Sequence, residues 1–219
     1  MRLTDIELTR LLNSDSDKPY QLEYLQVTPK PTSGAVTGVT IDLTLGNSFR
    51  RFLKKEFIGG PLDLSSPTLT EDVQSIMHSN ASFDADSIII EPGELLLGIT
   101  AESVRIPTCL VGWLDGRSSL ARVGLQVHAT AHRIDPGWDG KIVLEFINAG
   151  PAPLRLTAGM KICAISFETT GGRKVLELGD HSVLLGDIAT QPVAIAYTAK
   201  PDSKYVNQTT VETSKTCNG

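Results

Sequence analysis

Short segments in which apolar and polar residues alternate follow one another after residue 35, and this pattern constrains the fold more than any other feature. The alternation is clearest at Ile41, Leu43 and Leu45. Further short apolar or alternating segments lie near residues 88–90, 95–99, 109–114, 125–129, 142–146 and 162–166. A period of two directs successive side chains to opposite faces of a strand. Many short strands bounded by turn residues predict an all-β barrel or sandwich rather than alternating strands and helices.

Two segments have a helical rather than a strand pattern. The first dozen residues predict a capped helix, because Thr4 and Glu7 have capping-box spacing. Leu3 and Leu8 stand where a hydrophobic staple would lie. A second, short helix is expected within residues 65–80. The predicted organisation is one β domain with an N-terminal helix over residues 1–197.

The end of the chain differs from the rest. Residues 198–219 contain few large apolar side chains, so they cannot bury enough surface to order themselves. We expect a flexible segment that either stays disordered or orders over a ligand.

Composition excludes several classes of protein. The 219 residues carry a net charge of -5, which argues against a broad nucleic-acid surface but not against a small anion held by local arginines. No apolar run is long enough for a membrane helix, and the N-terminal residues lack a signal-peptide core, so a cytoplasmic protein is expected. The cysteines lie too far apart for a disulfide framework or a zinc site: Cys109, Cys163 and Cys217.

Glu145 is the most informative single residue. In residues 142–147, one strand face carries Ile142, Leu144 and Phe146, and the other carries Glu145 between two apolar residues. A carboxylate in such surroundings is costly unless it is paired or functional. Desolvation would raise its pKa toward the range useful for acid–base catalysis. The pattern alone equally allows a structural ion pair with an arginine such as Arg122.

Residues 116–122 combine glycine, serine and arginine in a way that suits phosphate binding. Ser118, Ser119 and freed backbone amides donate hydrogen bonds, and Arg117 and Arg122 add charge-assisted ones. The alternative is a helix start with Ser118 as its N-cap. The two interpretations are compatible, because helix N-termini bind anions.

Two histidines lie on the next predicted strand, around residues 125–134. His128 and His132 are four residues apart, so both are expected on one face. A metal site would need a third ligand and a bound water, so a structural or hydrogen-bonding role is favoured. Strong turn signals at residues 135–137 and 139–140 predict that the chain then folds back toward residues 141–148.

Long motifs resemble the dCTP deaminase family over nearly the whole chain: residues 39–47, 112–122, 127–138, 142–146 and 159–160. This family is related to trimeric dUTPases. The resemblance implies a mainly β fold, a distorted and jelly-roll-like β-barrel with a few short helices. It also implies a homotrimer with sites shared between subunits.

The resemblance further implies roles for individual residues. Residues matching the segment that holds the triphosphate and borders the catalytic water are Arg117, Ser118, Ser119, Leu120, Ala121 and Arg122, the last reaching from a neighbouring subunit. Asp135 matches the contact to the deoxyribose 3′-hydroxyl, and the backbone of Val143 and Leu144 matches the contact to the base edge. Glu145 matches the catalytic carboxylate. Residues matching the tail segment that folds over the nucleotide are Tyr197, Lys204 and Gln208.

The implied reaction is hydrolysis of dCTP to dUTP and ammonia, which supplies dUTP and dUMP for thymidylate synthesis. Glu145 would be the general base and acid, with Ser118 and Arg122 orienting water and stabilising charge. Zinc deaminases show His-x-Glu followed by Pro-Cys-x-x-Cys, which is absent here, so no zinc is expected. Magnesium is expected with the substrate triphosphate, and dTTP is a candidate inhibitor.

Two alternatives stay open at this point. A bifunctional relative would also cleave dUTP, but such relatives tend to have glycine and an aromatic residue where this chain has His132 and Arg133. A catalytically silent nucleotide sensor on the same fold is the second. Two departures from the family are a longer segment between Phe167 and Tyr197 and a polar residue at Gln126.

Overall fold

Strands dominate the described part of the chain, which comprises residues 2–13, 25–32, 34–52, 60–77, 83–170, 177–178 and 181–182 in a computed structural model. The helices are α1 (Asp5–Asn13), α2 (Leu69–Ser75) and α3 (Ser118–Ala121). The strands are β1 (Gln26–Thr28), β2 (Val36–Thr37), β3 (Thr40–Arg51), β4 (Phe83–Asp84), β5 (Ser87–Ile90), β6 (Leu95–Arg105), β7 (Leu110–Gly116), β8 (Leu125–Gln126), β9 (Arg133–Ile134), β10 (Asp139–Asn148), β11 (Leu154–Thr157), β12 (Lys161–Thr169), β13 (Glu177–Leu178) and β14 (His181–Ser182).

The N-terminal helix forms as predicted. The backbone N–H of Thr4 donates to the Glu7 carboxylate at 2.7 Å, and the N–H of Glu7 donates weakly to Thr4 Oγ1 at 3.4 Å. This reciprocal pair satisfies donors that a helix start otherwise leaves free. Leu8 and Leu11 are buried against the sheet. The expected second helix is also confirmed, as α2.

The main sheet curls because its two ends are joined by a short loop. Its strand order is β8-β10-β6-β3-β12-β7-β9, so β8 and β9 lie at opposite ends of the path although they are close in sequence. Residues 127–132 connect them. The loop bonds to both sides, since Val127 O accepts from Glu145 N at 3.2 Å and His132 O accepts from Leu114 N at 2.8 Å. The sheet therefore wraps around a core.

The interior of this curled sheet is filled by aliphatic and aromatic side chains. Phe49, Phe146 and Phe167 are fully buried. A Cβ at Gly98 would lie 2.6 Å from Cε2 of Phe146, so only glycine leaves room for this ring. The predicted distorted β-barrel with a few short helices is confirmed. The homotrimer stays a prediction.

Two local predictions were wrong. The strand expected around residues 125–134 is interrupted. Its first part, β8, ends at Gln126 and pairs with β10, whereas its last part, β9, begins at Arg133 and pairs with β7. Asp139 and Gly140, predicted as a turn, instead begin β10 and pair with Arg105 and Val104.

Three further predictions concern membrane helices, the cysteines and the C-terminal segment. Within the described ranges, every helix is too short or too polar to span a lipid bilayer. Cys163 is buried, whereas Cys109 is only partly buried. The C-terminal segment with Tyr197, Lys204, Gln208 and Cys217 lies outside the described residues.

Candidate active site

Glu145 lies in β10 on the face turned away from the core, as the alternation predicts. Ile142, Leu144 and Phe146 are at most 2% exposed, whereas Glu145 is half-buried. Its neighbour across the ladder is Leu97 of β6, which is also half-buried. The carboxylate is therefore flanked by apolar side chains but keeps access to solvent.

The backbone of the 127–132 loop holds this carboxylate. The N–H of Ala129 donates to Glu145 Oε2 at 2.9 Å. Among the described residues, Glu145 forms no ion pair, so the alternative pairing with Arg122 is not seen within one chain. A hydrogen bond from a backbone amide fixes one oxygen and leaves the second available for another contact.

Three rings stack beside this loop. The centroids of His128 and His132 lie 5.4 Å apart, and those of His132 and Trp113 also lie 5.4 Å apart. Trp113 Nε1 donates to Glu168 at 3.1 Å. The two histidines thus share one side of the molecule, although a loop and not a strand brings them there. No three histidine, cysteine or acidic side chains of the described residues cluster in a way that could hold a metal ion.

The arginine–serine segment follows directly after β7. Arg117 stands at the N-cap of α3 with extended backbone angles, φ -82° and ψ 127°. The alternative with Ser118 as N-cap is therefore wrong, because Ser118 is the first helical residue. Ser118, Ser119 and Arg122 are exposed. Their side chains are thus available to a ligand or to another subunit.

Asp42 of β3 forms an ion pair with Arg117, which follows β7; β12 lies between these two strands in the sheet. Nη1 of Arg117 lies 2.5 Å from Asp42 Oδ1, and Nζ of Lys161 lies 2.9 Å from Asp42 Oδ2. The Asp42 side chain is only 12% exposed. One carboxylate therefore joins two cations that are far apart in sequence.

Cys163 of β12 is buried near the charges of Asp42, Arg117 and Glu102. Burial raises the pKa of the Cys163 thiol well above its usual range, and the carboxylates of Glu102 and Asp42 raise it further, while Arg117 opposes the shift. Glu102 is itself buried and accepts hydrogen bonds from the N–H and hydroxyl of Thr44, at 2.8 and 2.7 Å. Cys163 thus stays a neutral thiol.

Asp135 begins the turn before β10. Its Oδ1 lies 2.9 Å from Nε of Arg133, and both side chains are more than half exposed. Gly137 completes the turn with a φ of 82°, which favours glycine. An exposed carboxylate on a defined turn can accept a hydrogen bond from a ligand.

The structure brings together only some of the predicted site residues. Val143, Leu144 and Glu145 share β10, and the segment 117–122 forms one turn. In the described part of the chain, no hydrogen bond or ion pair joins Glu145 to Ser118 or Arg122. Sequence reasoning missed the roles of Ala129, Asp42 and Lys161. The alternation in β3 predicts that Asp42 lies on the face opposite the buried Ile41 and Leu43. It does not predict the ion pairs of Asp42 with Arg117 and Lys161.

Comparison with solved structures identifies the fold first. The fold matches the crystal structure of 2′-deoxycytidine 5′-triphosphate deaminase from Agrobacterium tumefaciens with a TM-score of 0.54 and 20% sequence identity. The match covers 77% of this chain and 47% of that one. At this identity the match establishes a shared barrel fold and nothing more.

Sequence comparison then defines the family. A family model described as dCTP deaminase-like matches residues 7–170. A dCTP deaminase of Actinobacillus pleuropneumoniae is 43% identical over 98% of this chain and 97% of its own length. A dCTP deaminase of Marinomonas sp. is 49% identical over 78% of this chain and 85% of its own length. The chain belongs to the dCTP deaminase-like family.

Proposed function

We propose that this protein hydrolyses the 4-amino group of dCTP, giving dUTP and ammonia and so supplying dUTP and dUMP for thymidylate synthesis. Relatives named dCTP deaminase match almost the entire chain. The observation that carries the proposal is the half-buried carboxylate of Glu145, which is fixed by the Ala129 N–H and flanked on its strand face by the apolar Val143 and Ile147. Such a group is suited to move protons at a bound base.

In the proposed reaction, Glu145 takes a proton from water as the water oxygen bonds to C4 of cytosine. The same proton then passes to the 4-amino nitrogen, which leaves as ammonia when the C4–N bond breaks. The second proton of the water passes from the C4 hydroxyl to N3, so that the C4 carbonyl of uracil forms. Ser118 and Arg122 orient the water and stabilise the charge that develops on the ring. No protein-bound zinc takes part, because the sequence lacks the thiolate pair of zinc deaminases.

The base edge is proposed to bind along β10. Alternate residues of a strand direct their backbone groups to opposite edges. The N–H of Glu145 points to the edge that β8 lines, and Val143 shares this edge. Because β8 pairs with Ile147 and Asn148 of β10, the β8–β10 ladder ends before Val143. The edge of β10 at Val143 is therefore not covered by β8. This supports Val143 as a contact for the cytosine edge, whereas Leu144 is assigned through the family resemblance alone.

The remaining substrate contacts are proposed from the family. Residues assigned to the triphosphate are Arg117, Ser118, Ser119, Leu120, Ala121 and Arg122. Asp135 is assigned to the 3′-hydroxyl. Magnesium arrives with dCTP as the counter-ion of its phosphates. The segment 198–219, together with Tyr197, is assigned to closure over the nucleotide through Lys204 and Gln208.

We further propose that the active protein is a homotrimer in which Arg122 reaches into the site around Glu145 of a neighbouring subunit. Within one chain, described contacts do not join these two residues. The β6–β10 face around Glu145 also carries Leu95, which is 38% exposed, and the half-buried Leu97. A half-buried apolar face of this kind is suited to contact a second copy.

An ammonia-release assay across dCTP, CTP, dCMP and dATP tests the proposed function. We expect release from dCTP with Mg²⁺, and no pyrophosphate. Abundant pyrophosphate would support the bifunctional alternative, against which His132 and Arg133 argue. Protection of the protein by dCTP against heat unfolding without any ammonia release would support the nucleotide sensor. Turnover that is lost with a chelator and restored by zinc alone would contradict the zinc-free mechanism.

A further inference from the structure

The carboxylate of Asp42 uses both of its oxygens on cations. Oδ1 contacts Nη1 of Arg117 at 2.5 Å and Oδ2 contacts Nζ of Lys161 at 2.9 Å. The side chains of Arg117 and Lys161 are 32% and 49% exposed, whereas that of Asp42 is 12% exposed. The carboxylate is therefore the inner member of the group and the two cations are its outer members.

The sheet fixes Asp42 more firmly than it fixes Arg117. Ala164 of β12 pairs with Asp42 of β3 on one side and with Asp115 of β7 on the other, so the three residues share one face. Arg117 stands just after β7 ends, at the N-cap of a four-residue helix. A long arginine side chain at such a boundary has many rotamers unless a partner restricts it. Asp42 is that partner.

The ion pair leaves part of the guanidinium available. Arginine has five N–H donors in a planar fork. Nε and Nη2 of Arg117 have no hydrogen-bond partner among the described residues, since its contact with Asp42 uses Nη1. Two parallel donors match two oxygens of a phosphate group. Lys161 adds a second positive charge, so the three side chains together keep a net charge of one and still attract an anion.

We propose that Asp42 is a positioning residue that orients the guanidinium of Arg117 toward the phosphates of the nucleotide, with Lys161 offsetting the charge of Asp42. Asp42 itself touches no substrate. The proposal rests on the proposed function for the identity of the ligand, whereas the ion pair stands on the geometry alone. Its effect is on binding, because the phosphates are remote from the bond that breaks.

A double-mutant cycle tests this role. Asp42→Asn keeps the shape of the side chain and removes its charge. We expect KM for dCTP to rise about tenfold while kcat stays within about twofold, since a lost charge-assisted bond acts on ground state and transition state alike. In an Arg117→Ala background, the same change should alter KM less than about twofold. A merely structural role would affect both backgrounds equally.

Asp139→Asn is the matched control. Asp139 also lies beside an arginine at a strand, with its Oδ2 3.7 Å from Nε of Arg105, whereas the ion pair that Arg117 forms among the described residues is with Asp42. We expect its KM to equal that of the wild type. If Asp42→Asn lowers the unfolding midpoint strongly, Asp42→Glu replaces it in the cycle, because it keeps the charge but displaces the carboxylate. An unchanged KM, or equal effects in both backgrounds, would overturn the proposal.

Binding of inorganic tripolyphosphate, followed by calorimetry, separates this proposal from the proposed function. We expect Asp42→Asn to weaken this binding about tenfold, and Asp139→Asn to leave it unchanged. The measurement needs no turnover. A wild-type protein that releases no ammonia from dCTP would therefore refute the deaminase function alone, whereas equal tripolyphosphate affinities of wild type and Asp42→Asn would refute the role of Asp42.

Discussion

Asn148 at the end of β10 is the clearest single point at which a small change should loosen the site. Its side chain is fully buried. Nδ2 donates to the carbonyl oxygens of Ile90 at 3.0 Å and of Ala152 at 2.8 Å, and Oδ1 accepts from the N–H of Gly150 at 3.0 Å. One amide therefore joins β10 to β5 and to the loop that follows β10.

This loop supports the turn that carries the arginine–serine segment. The N–H of Ala149 donates to Gly124 O at 2.9 Å, and a Cβ at Gly124 would lie 2.2 Å from Gly150 N. Gly124 also has a φ of 97°, so no other residue fits there without strain. Asn148 thus acts through Gly150 on the turn that links α3 to β8.

Asn148→Ala removes all three hydrogen bonds and leaves their partners unsatisfied. At about 1 kcal/mol for each lost bond, the free energy of unfolding should fall by about 3 kcal/mol. For a chain of this size, that corresponds to a decrease in Tm of about 6 to 12 °C. Calorimetric thermal unfolding at one protein concentration measures it, since association would otherwise shift Tm.

Asn47→Ala is the control for this experiment. Asn47 lies in β3 and is exposed, and its side chain has no hydrogen bond within the described residues. We expect a change below about 0.5 kcal/mol, as for most surface substitutions. If Asn148→Ala were no more destabilising than Asn47→Ala, the reasoning from these hydrogen bonds would be refuted.

Three further predictions concern other parts of the chain. The pKa of the Cys163 thiol is raised in the folded state. As the pH rises above about 8.5, the thiol therefore ionises in the unfolded chain but stays neutral in the folded one. The free energy of unfolding should then fall by up to about 1.4 kcal/mol per pH unit. Cys163→Ala should remove this part of the slope in urea unfolding between pH 8 and 10; equal slopes would contradict it. A chain ending at residue 196 should keep its Tm but lose most of its affinity for dCTP, and unchanged affinity would show that the tail assignment is wrong. Asp135→Ala should abolish any preference for dCTP over its 2′,3′-dideoxy analogue in KM; a preserved preference would remove Asp135 from the site.

Local patterns predicted the elements whose determinants are local. The capping box of Thr4 and Glu7 forms α1, and the alternation in β10 places Glu145 opposite the buried Leu144. Both rest on neighbours within a few residues. The prediction of a barrel also held, because short strands with one apolar face must close around a common core.

Features that depend on distant strands could not be predicted in this way. The strand expected around His128 fails because the chain must cross from the edge of β10 to the edge of β7, and one strand cannot pair with both. Asp139 enters β10 rather than a turn because Arg105 lies opposite it. Arg117 and Asp42 are 75 residues apart, and only the register of β3, β12 and β7 brings them together.

The Glu145→Gln variant decides whether Glu145 transfers the protons of the deamination. The amide keeps the size of the side chain but cannot take a proton from water. We expect calorimetry to show dCTP affinity within a few fold of wild type, and ammonia release to fall about 100- to 10,000-fold. A variant that binds dCTP and still releases ammonia at the wild-type rate would contradict the claim.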